Sequence, residues 1–210
     1  MSTQSAPLSA RRRQTRQRLM DAAALVFAEK GVAGASVEEI CEAAGFTRGA
    51  FYSNFETKDE LCVALQRSLT ERFLESLRVA VEGMGAGADD PDRPDEAALL
   101  DTAVDTFLAI QPSEREIVLL LMELQLYALR HPHFAEIYAA HTADSRQVFS
   151  GVLEEALTRA GMRISLPTEQ IVDILQAVHN ARQADSLLNP GQPDLLAAQL
   201  KSILGALLIR

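Results

Sequence analysis

Apolar residues recur at intervals of three and four along nearly the whole of this 210-residue chain, and no stretch alternates apolar with polar side chains as a half-buried strand requires. The plainest run is Leu61, Leu65, Leu69, Phe73 and Leu77. Such a period cannot be laid on a pleated sheet, so the expected fold class is all-α. Punctuating residues divide the chain into nine expected helices with no internal repeat. The first covers 12–30, has Leu19, Ala22, Ala23, Val26 and Phe27 on one face, and is ended by Gly31 and Gly34. Ser36 stands three residues before Glu39, a capping box that opens a short helix with Val37, Ile40, Cys41 and Ala44 on one side. Gly45 supplies the next turn, where a residue without Cβ takes positive φ cheaply. A second short helix covers 47–54, and Thr57 with Glu60 caps a long helix over 57–82. Gly83–Pro94, rich in Gly, Ala, Asp and Pro, reads as a mobile loop. Helices follow at 95–110, 113–130, 132–160, 168–188 and 193–209. Ser113 and Glu116 form a further capping box, Pro132 suits a first helical turn, and Pro167 and Pro193 mark later boundaries. Residues 1–10 are Ser/Ala/Pro-rich and read as disordered.

The composition, 48% hydrophobic and 23% charged, is that of a soluble globular protein. No apolar run is long enough for a membrane span. Arg11, Arg12 and Arg13 are followed by an amphipathic pattern in place of the apolar core of a secretory leader, so the expected location is cytoplasmic. Cys41 and Cys62 both fall inside helical patterns and read as reduced thiols. A net charge of −9 argues against nucleic acid only if it is spread evenly, and it is not. Residues 1–58 carry eight Lys/Arg against six Asp/Glu, while the remainder carries twelve against twenty-three. Five of those eight cations lie between Arg11 and Arg18. A local basic patch, not the global sum, is what binds phosphates.

Two short helices joined by a glycine-containing turn suggest a helix-turn-helix. The second, Thr47-Arg48-Gly49-Ala50-Phe51-Tyr52-Ser53-Asn54-Phe55, has a core side and a wet side. Phe51 and Phe55, four apart, can pack inward together. Thr47, Arg48, Tyr52, Ser53 and Asn54 are left facing elsewhere, and all five can donate hydrogen bonds to phosphates or base edges. Gly49 removes a side chain where the helix would approach DNA closely. Glycine inside a helix costs about 1 kcal/mol against alanine, which implies a steric reason for it.

On these residues the stretch from Arg16 to Leu65 resembles the DNA-binding domain of the TetR family. The resemblance is carried by Ala23, Phe27 and Gly31, by Val37 through Gly45, by Thr47 through Phe55, and by Lys58 and Leu61. Asn54 departs from it mildly, since many members carry histidine or a larger residue there. The resemblance implies a disordered arm over 1–11, a DNA-binding domain over 12–72 with its helix-turn-helix at about 36–55, and a ligand-binding and dimerisation domain over 73–210. It implies that helix 47–54 lies in the major groove of a palindromic double-stranded operator. Tyr52 would then reach a phosphate, Lys58 the backbone at a helix N-terminus, and Thr47 a phosphate or base edge. Arg48 is the candidate for base readout, its fork matching guanine O6/N7, with a phosphate contact as the alternative. Gly49, Ser53, Asn54 and Ser36 complete the DNA-facing set. Arg11, Arg12 and Arg13 either follow the backbone or minor groove or form a solvated tail. The helix over 57–82 would link the reading head to the rest, so that a ligand changes the separation of two recognition helices in a homodimer.

By the same resemblance, Ile171, Ile174, Leu175, Val178, Leu196, Leu200, Ile203, Leu204 and Leu207 of the last two helices form a dimer seam; core packing within one subunit fits each equally well. Phe107, Met122, Tyr127, Phe134, Tyr138, Gln176, His179 and Asn180, with Phe73, mix apolar and polar character on helices suited to a pocket for a small, mostly hydrophobic effector. Two other readings stand beside this one. One is a repressor without a ligand. The other is a helical metalloenzyme using His131, His133, Glu136 and His141, against which Pro132 interrupts the set and no H-E-x-x-H motif is present. No nucleophile elbow, P-loop or dinucleotide fingerprint occurs, so the expectation is a regulator that is not an enzyme and holds no cofactor and no metal.

Overall fold

The computed structural model describes residues 10–83, 95–189 and 195–208, with the side chains of 186 and 195–197 outside that description. The arm over 1–9, most of the 83–94 loop and Pro193 therefore lie outside the described residues. Nine α-helices occur among the described residues: α1 (Ala10–Gly34), α2 (Val37–Ala44), α3 (Arg48–Tyr52), α4 (Lys58–Gly83), α5 (Glu96–Ala109), α6 (Arg115–Arg130), α7 (Pro132–Arg159), α8 (Thr168–Leu188) and α9 (Leu195–Leu207). The described residues contain no strand; one antiparallel bridge joins Ile164 and Leu208. No described helix is long and apolar enough to cross a membrane.

The chain forms two compact units. The first comprises residues up to Ser68 together with Glu114–Tyr138, and the second comprises Leu69–Ser113 with Ala139–Arg210. In the first unit α1 packs on α6 and α2, and Leu19, Phe27, Ile40, Phe51, Leu61 and Leu124 are fully enclosed. The helix of α1 is broken at Gly31, whose φ of 75° explains the glycine. A Cβ here would also stand 2.8 Å from Oε2 of Glu123 on α6, the same oxygen that accepts a hydrogen bond from Val32 N. The Ser36–Glu39 box forms in full, with Gly45 at φ 69° closing α2. Lys30 and then Ser36 hold the Glu39 carboxyl down at about 2.

In the second unit α9 packs on α5 and α8 around Leu100, Val104, Leu108, Ile171, Leu200 and Leu204. Gln183 Nε2 donates to Pro112 O at 3.1 Å, tying α8 to the end of α5. Lys201 pairs with Asp105 at 2.9 Å across α9 and α5. The expected Ser113 cap is not used: α6 takes Glu114 as its N-cap, without a side-chain cap bond. The Thr57–Glu60 box is half formed. Thr57 Oγ1 accepts from Glu60 N, but the Glu60 carboxylate accepts from Glu56 N instead of the cap residue.

Candidate functional site

The α2–α3 corner is set by short-range chemistry. Thr47, extended at φ −88° and ψ 160°, is the N-cap of α3, and its hydroxyl oxygen accepts from Ala50 N. Phe51 and Phe55 turn inward with ring centroids 5.8 Å apart, as the four-residue spacing demands. That leaves Thr47, Arg48, Gly49, Tyr52 and Ser53 exposed together. Gly49 is open: the nearest atom to a Cβ built on it is Thr47 Oγ1, at an ordinary 3.7 Å. Nothing among the described residues requires glycine here. Arg48 Nη1 stands 2.6 Å from Glu38 Oε1 on α2, and its guanidinium lies over the Tyr52 ring at 5.8 Å. Tyr52 first and Glu38 second favour its charged form.

Several expected DNA contacts are placed otherwise. Asn54 is only 7% exposed; its amide donates to Ala50 O at 2.8 Å, and its Oδ1 has no hydrogen-bond partner among the described residues. The physical reason is that α3 ends at Tyr52 with Ser53 as C-cap, so residue 54 leaves the helical register and folds inward. Lys58 Nζ donates to Val32 O at 2.7 Å and Ala35 O at 2.9 Å and lies over the Tyr127 ring, so its ammonium serves the carbonyls that end α1. Ser36 Oγ is engaged in its capping box. Arg11, Arg12 and Arg13 belong to the first turns of α1, not to a loose arm. Arg12 Nη2 donates to Ser53 O at 3.0 Å, and Arg16 donates to Asn54 O while lying over Phe55 at 3.9 Å. These two arginines hold the carbonyl end of α3. Sequence reasoning missed Arg16, because its partners are thirty-eight or more residues away and no local pattern announces them.

The second unit contains a cavity of about 140 Å³. Phe73 stands at its centre of aromatic contacts, edge-on to Phe107 at 6.1 Å and Phe149 at 5.2 Å. Thr106, Gln111 and Gln176 are the polar residues of a lining that includes no charged side chain among the described residues. Of the nine residues expected at a pocket, Phe73, Phe107 and Gln176 line it. Met122, Tyr127, Phe134 and Tyr138 belong to the first unit. There Tyr127 donates to Asp59 Oδ1 at 2.9 Å and stacks on His131, and burial pushes its hydroxyl up to about 12. His179 and Asn180 are not in the lining: His179 is buried at 5% exposure, and Asn180 is exposed, accepting from Gln176 Nε2. Leu77, read from the sequence only as part of a helical apolar run, also lines the cavity, as do Val81, Leu100 and Phe149, which were not singled out by sequence because each looks like ordinary helical core.

The pattern that defines the bacterial regulatory proteins of the tetR family matches residues 19–65, the span containing α2, α3 and their supports. The nicotine-responsive transcriptional repressor HdnoR of Paenarthrobacter nicotinovorans is 28% identical over 150 residues, 71% of this chain and 73% of that protein. A TetR-family regulator from Rhodococcus sp. has the same fold, with a TM-score of 0.72 at 17% identity over 94% of this chain and 100% of that one. Residues 19–65 therefore carry the N-terminal domain of the bacterial regulatory proteins of the tetR family, and the chain as a whole has the fold of that family's solved members. Another solved structure of the same fold is FadR of Bacillus subtilis in complex with stearoyl-CoA, with a TM-score of 0.66 at 16% identity over 90% and 96% of the two chains.

The residues expected at a dimer seam divide. Ile171, Leu200 and Leu204 are enclosed in the core of the second unit itself, and Ile171, Leu175 and Leu204 line the cavity. Ile174, Leu175, Val178 and Leu207 are partly buried against that core, Ile203 is 43% exposed, and the side chain of Leu196 lies outside the described residues. The histidines weighed as metal ligands have other company: His131 Nδ1 donates to Tyr127 O at 2.8 Å, and His141 Nε2 meets Thr70 Oγ1 at 3.3 Å. Among the described residues no group of three His, Cys, Asp or Glu is placed to hold a metal ion.

Proposed function

We propose that this regulator is a repressor that docks the α2–α3 corner of each subunit of a homodimer on a palindromic operator and leaves it when a small, uncharged, mostly apolar molecule enters the cavity of the second unit. The observation that carries the effector reading is the charge-free lining around Phe73, Phe107 and Phe149. An apolar cavity of this order stays dry and accepts molecules the size of benzene, and an ion taken into it without a partner would cost several kcal/mol. Thr106, Gln111 and Gln176 supply one or two hydrogen bonds to orient the guest. The nicotine response of HdnoR and the stearoyl-CoA bound to FadR are properties of those proteins; they support a ligand for this chain without naming it. On the DNA side, Thr47, Arg48, Tyr52 and Ser53 make the contacts, with Gly49 allowing close approach and the α1 arginines adding phosphate attraction.

The switch we infer runs through α4, one unbroken helix with Lys58 in its first turn and Phe73 and Leu77 in later ones. A guest that displaces Phe73 acts on the helix whose first turn Lys58 ties to the end of α1. The coupling expected between such sites is about 1–3 kcal/mol, or roughly 5–150-fold in affinity, and it is reciprocal. Calorimetry of any ligand found, with and without saturating operator, tests this: operator must weaken the ligand by the same factor by which ligand weakens operator. Equal ligand affinities in the two states would leave a repressor without an effector.

A further inference from the structure

Glu38 lies in the first turn of α2 and takes no part in the capping box beside it, which uses Glu39. Its Oε1 is 2.6 Å from Arg48 Nη1, and the same guanidinium lies over the Tyr52 ring. Arg48 is thus restrained from two sides, by a carboxylate on the first helix of the corner and by an aromatic face on the second. Both charged side chains remain more than half exposed, so the pair is open to the surface that Thr47, Tyr52 and Ser53 share.

We propose that Glu38 is a specificity-determining residue, one that positions Arg48 for a base edge and keeps it from the phosphates. The proposal rests on the reading of Arg48 as a base contact. An unrestrained arginine at a DNA surface is drawn to phosphate, which is present at every step whatever the sequence. A carboxylate against Nη1 already neutralises the guanidinium and repels a phosphate approaching it. The N–H groups turned away from Glu38 keep their donor geometry and still match guanine O6 and N7, which carry no net charge. In water such an exposed pair contributes little. In the groove, where water is displaced, its attraction strengthens as the local dielectric falls. A fixed negative charge beside DNA lowers affinity for every sequence. The device therefore favours discrimination at the expense of strength.

The test compares wild type, Glu38→Gln and Arg48→Ala, each as the full chain, on duplexes selected from a randomised library by the wild-type protein and on single-base variants of the selected consensus. Glu38→Gln keeps the shape and removes the charge. Its thermal midpoint should match wild type. Its affinity for random duplex should rise by up to about tenfold. Its preference at the base position that Arg48→Ala also relaxes should fall by about tenfold. An unchanged preference in Glu38→Gln, alongside a relaxed one in Arg48→Ala, overturns the positioning role and leaves a surface ion pair. Relaxation at a different base position overturns it too, because Glu38 would then be touching a base itself. If Arg48→Ala changes affinity equally on all duplexes, the base reading of Arg48 has failed, and the proposal falls with it.

Discussion

Gly49 separates stability from function within a single residue. A Cβ there meets nothing tighter than 3.7 Å, and its place in α3 is one where alanine is the better helix former. Gly49→Ala should therefore raise stability by about 0.5–1 kcal/mol in urea unfolding. The same change should weaken operator binding in a fluorescence titration, because the methyl occupies space the duplex needs. Unimpaired binding would mean that α3 does not approach DNA closely at this point. Lys58 makes the opposite case. Its ammonium donates to Val32 O and Ala35 O, so Lys58→Met should destabilise the fold by about 1.5–3 kcal/mol, the range for hydrogen bonds that involve a charged group. It should leave the salt dependence of DNA binding nearly unchanged, whereas a lost phosphate contact would reduce the slope by about 0.9. Sequence alone could place Lys58 beside a helix start. It could not show that the end of α1, some twenty-five residues earlier, would claim the ammonium first.

At the scale of the helix, α8 carries the clearest pH-dependent group. Burial, aided by Arg182, holds the His179 imidazole down at about 4, from an ordinary value of 6.5. Its Nδ1 has no hydrogen-bond partner among the described residues. The neutral form is the one the fold accommodates, so between pH 6.5 and 4 the unfolded chain binds the proton that the native chain refuses. Stability must then rise with pH across that window and fall on acidification, by about 2 kcal/mol between pH 6.5 and 5 from this group alone. Urea unfolding at the two pH values should show that loss in wild type and a loss smaller by that amount in His179→Gln. Identical losses would place a charged, solvated imidazole at 179. The helices themselves were legible because their signals are local. Ser36, Glu39 and Gly45 bound α2, and Pro132 opens α7 where the sequence put it. Errors came where two local signals compete or where partners are remote. Ser113 lost the cap of α6 to Glu114. Asn54 followed the helical period on paper, but α3 stops two residues earlier. Met122, Tyr127, Phe134 and Tyr138 look like pocket residues by type, yet α6 and the start of α7 return to the first unit, a matter of chain routing that no period encodes.

For the whole molecule, the proposed assembly has to be tested on residues that the subunit does not already use. Leu204 is 5% exposed and lines the cavity, so Leu204→Glu would place a carboxylate in the core and should unfold the second unit. Ile203, the neighbouring residue on α9, is exposed. Ile203→Glu should therefore keep the helical circular dichroism and the melting of the subunit, shift sedimentation from dimer to monomer at micromolar concentration, and abolish tight operator binding. A fully folded variant that remains dimeric would move the seam away from this face of α9. The uncharged lining around Phe73 has a consequence beyond binding. A molecule that leaves water willingly for such a cavity also leaves it willingly for the hydrocarbon of a bilayer, since both transfers strip the same hydration from the same surface. An effector of the kind proposed would therefore cross a lipid bilayer without a carrier, and as readily as it enters the cavity.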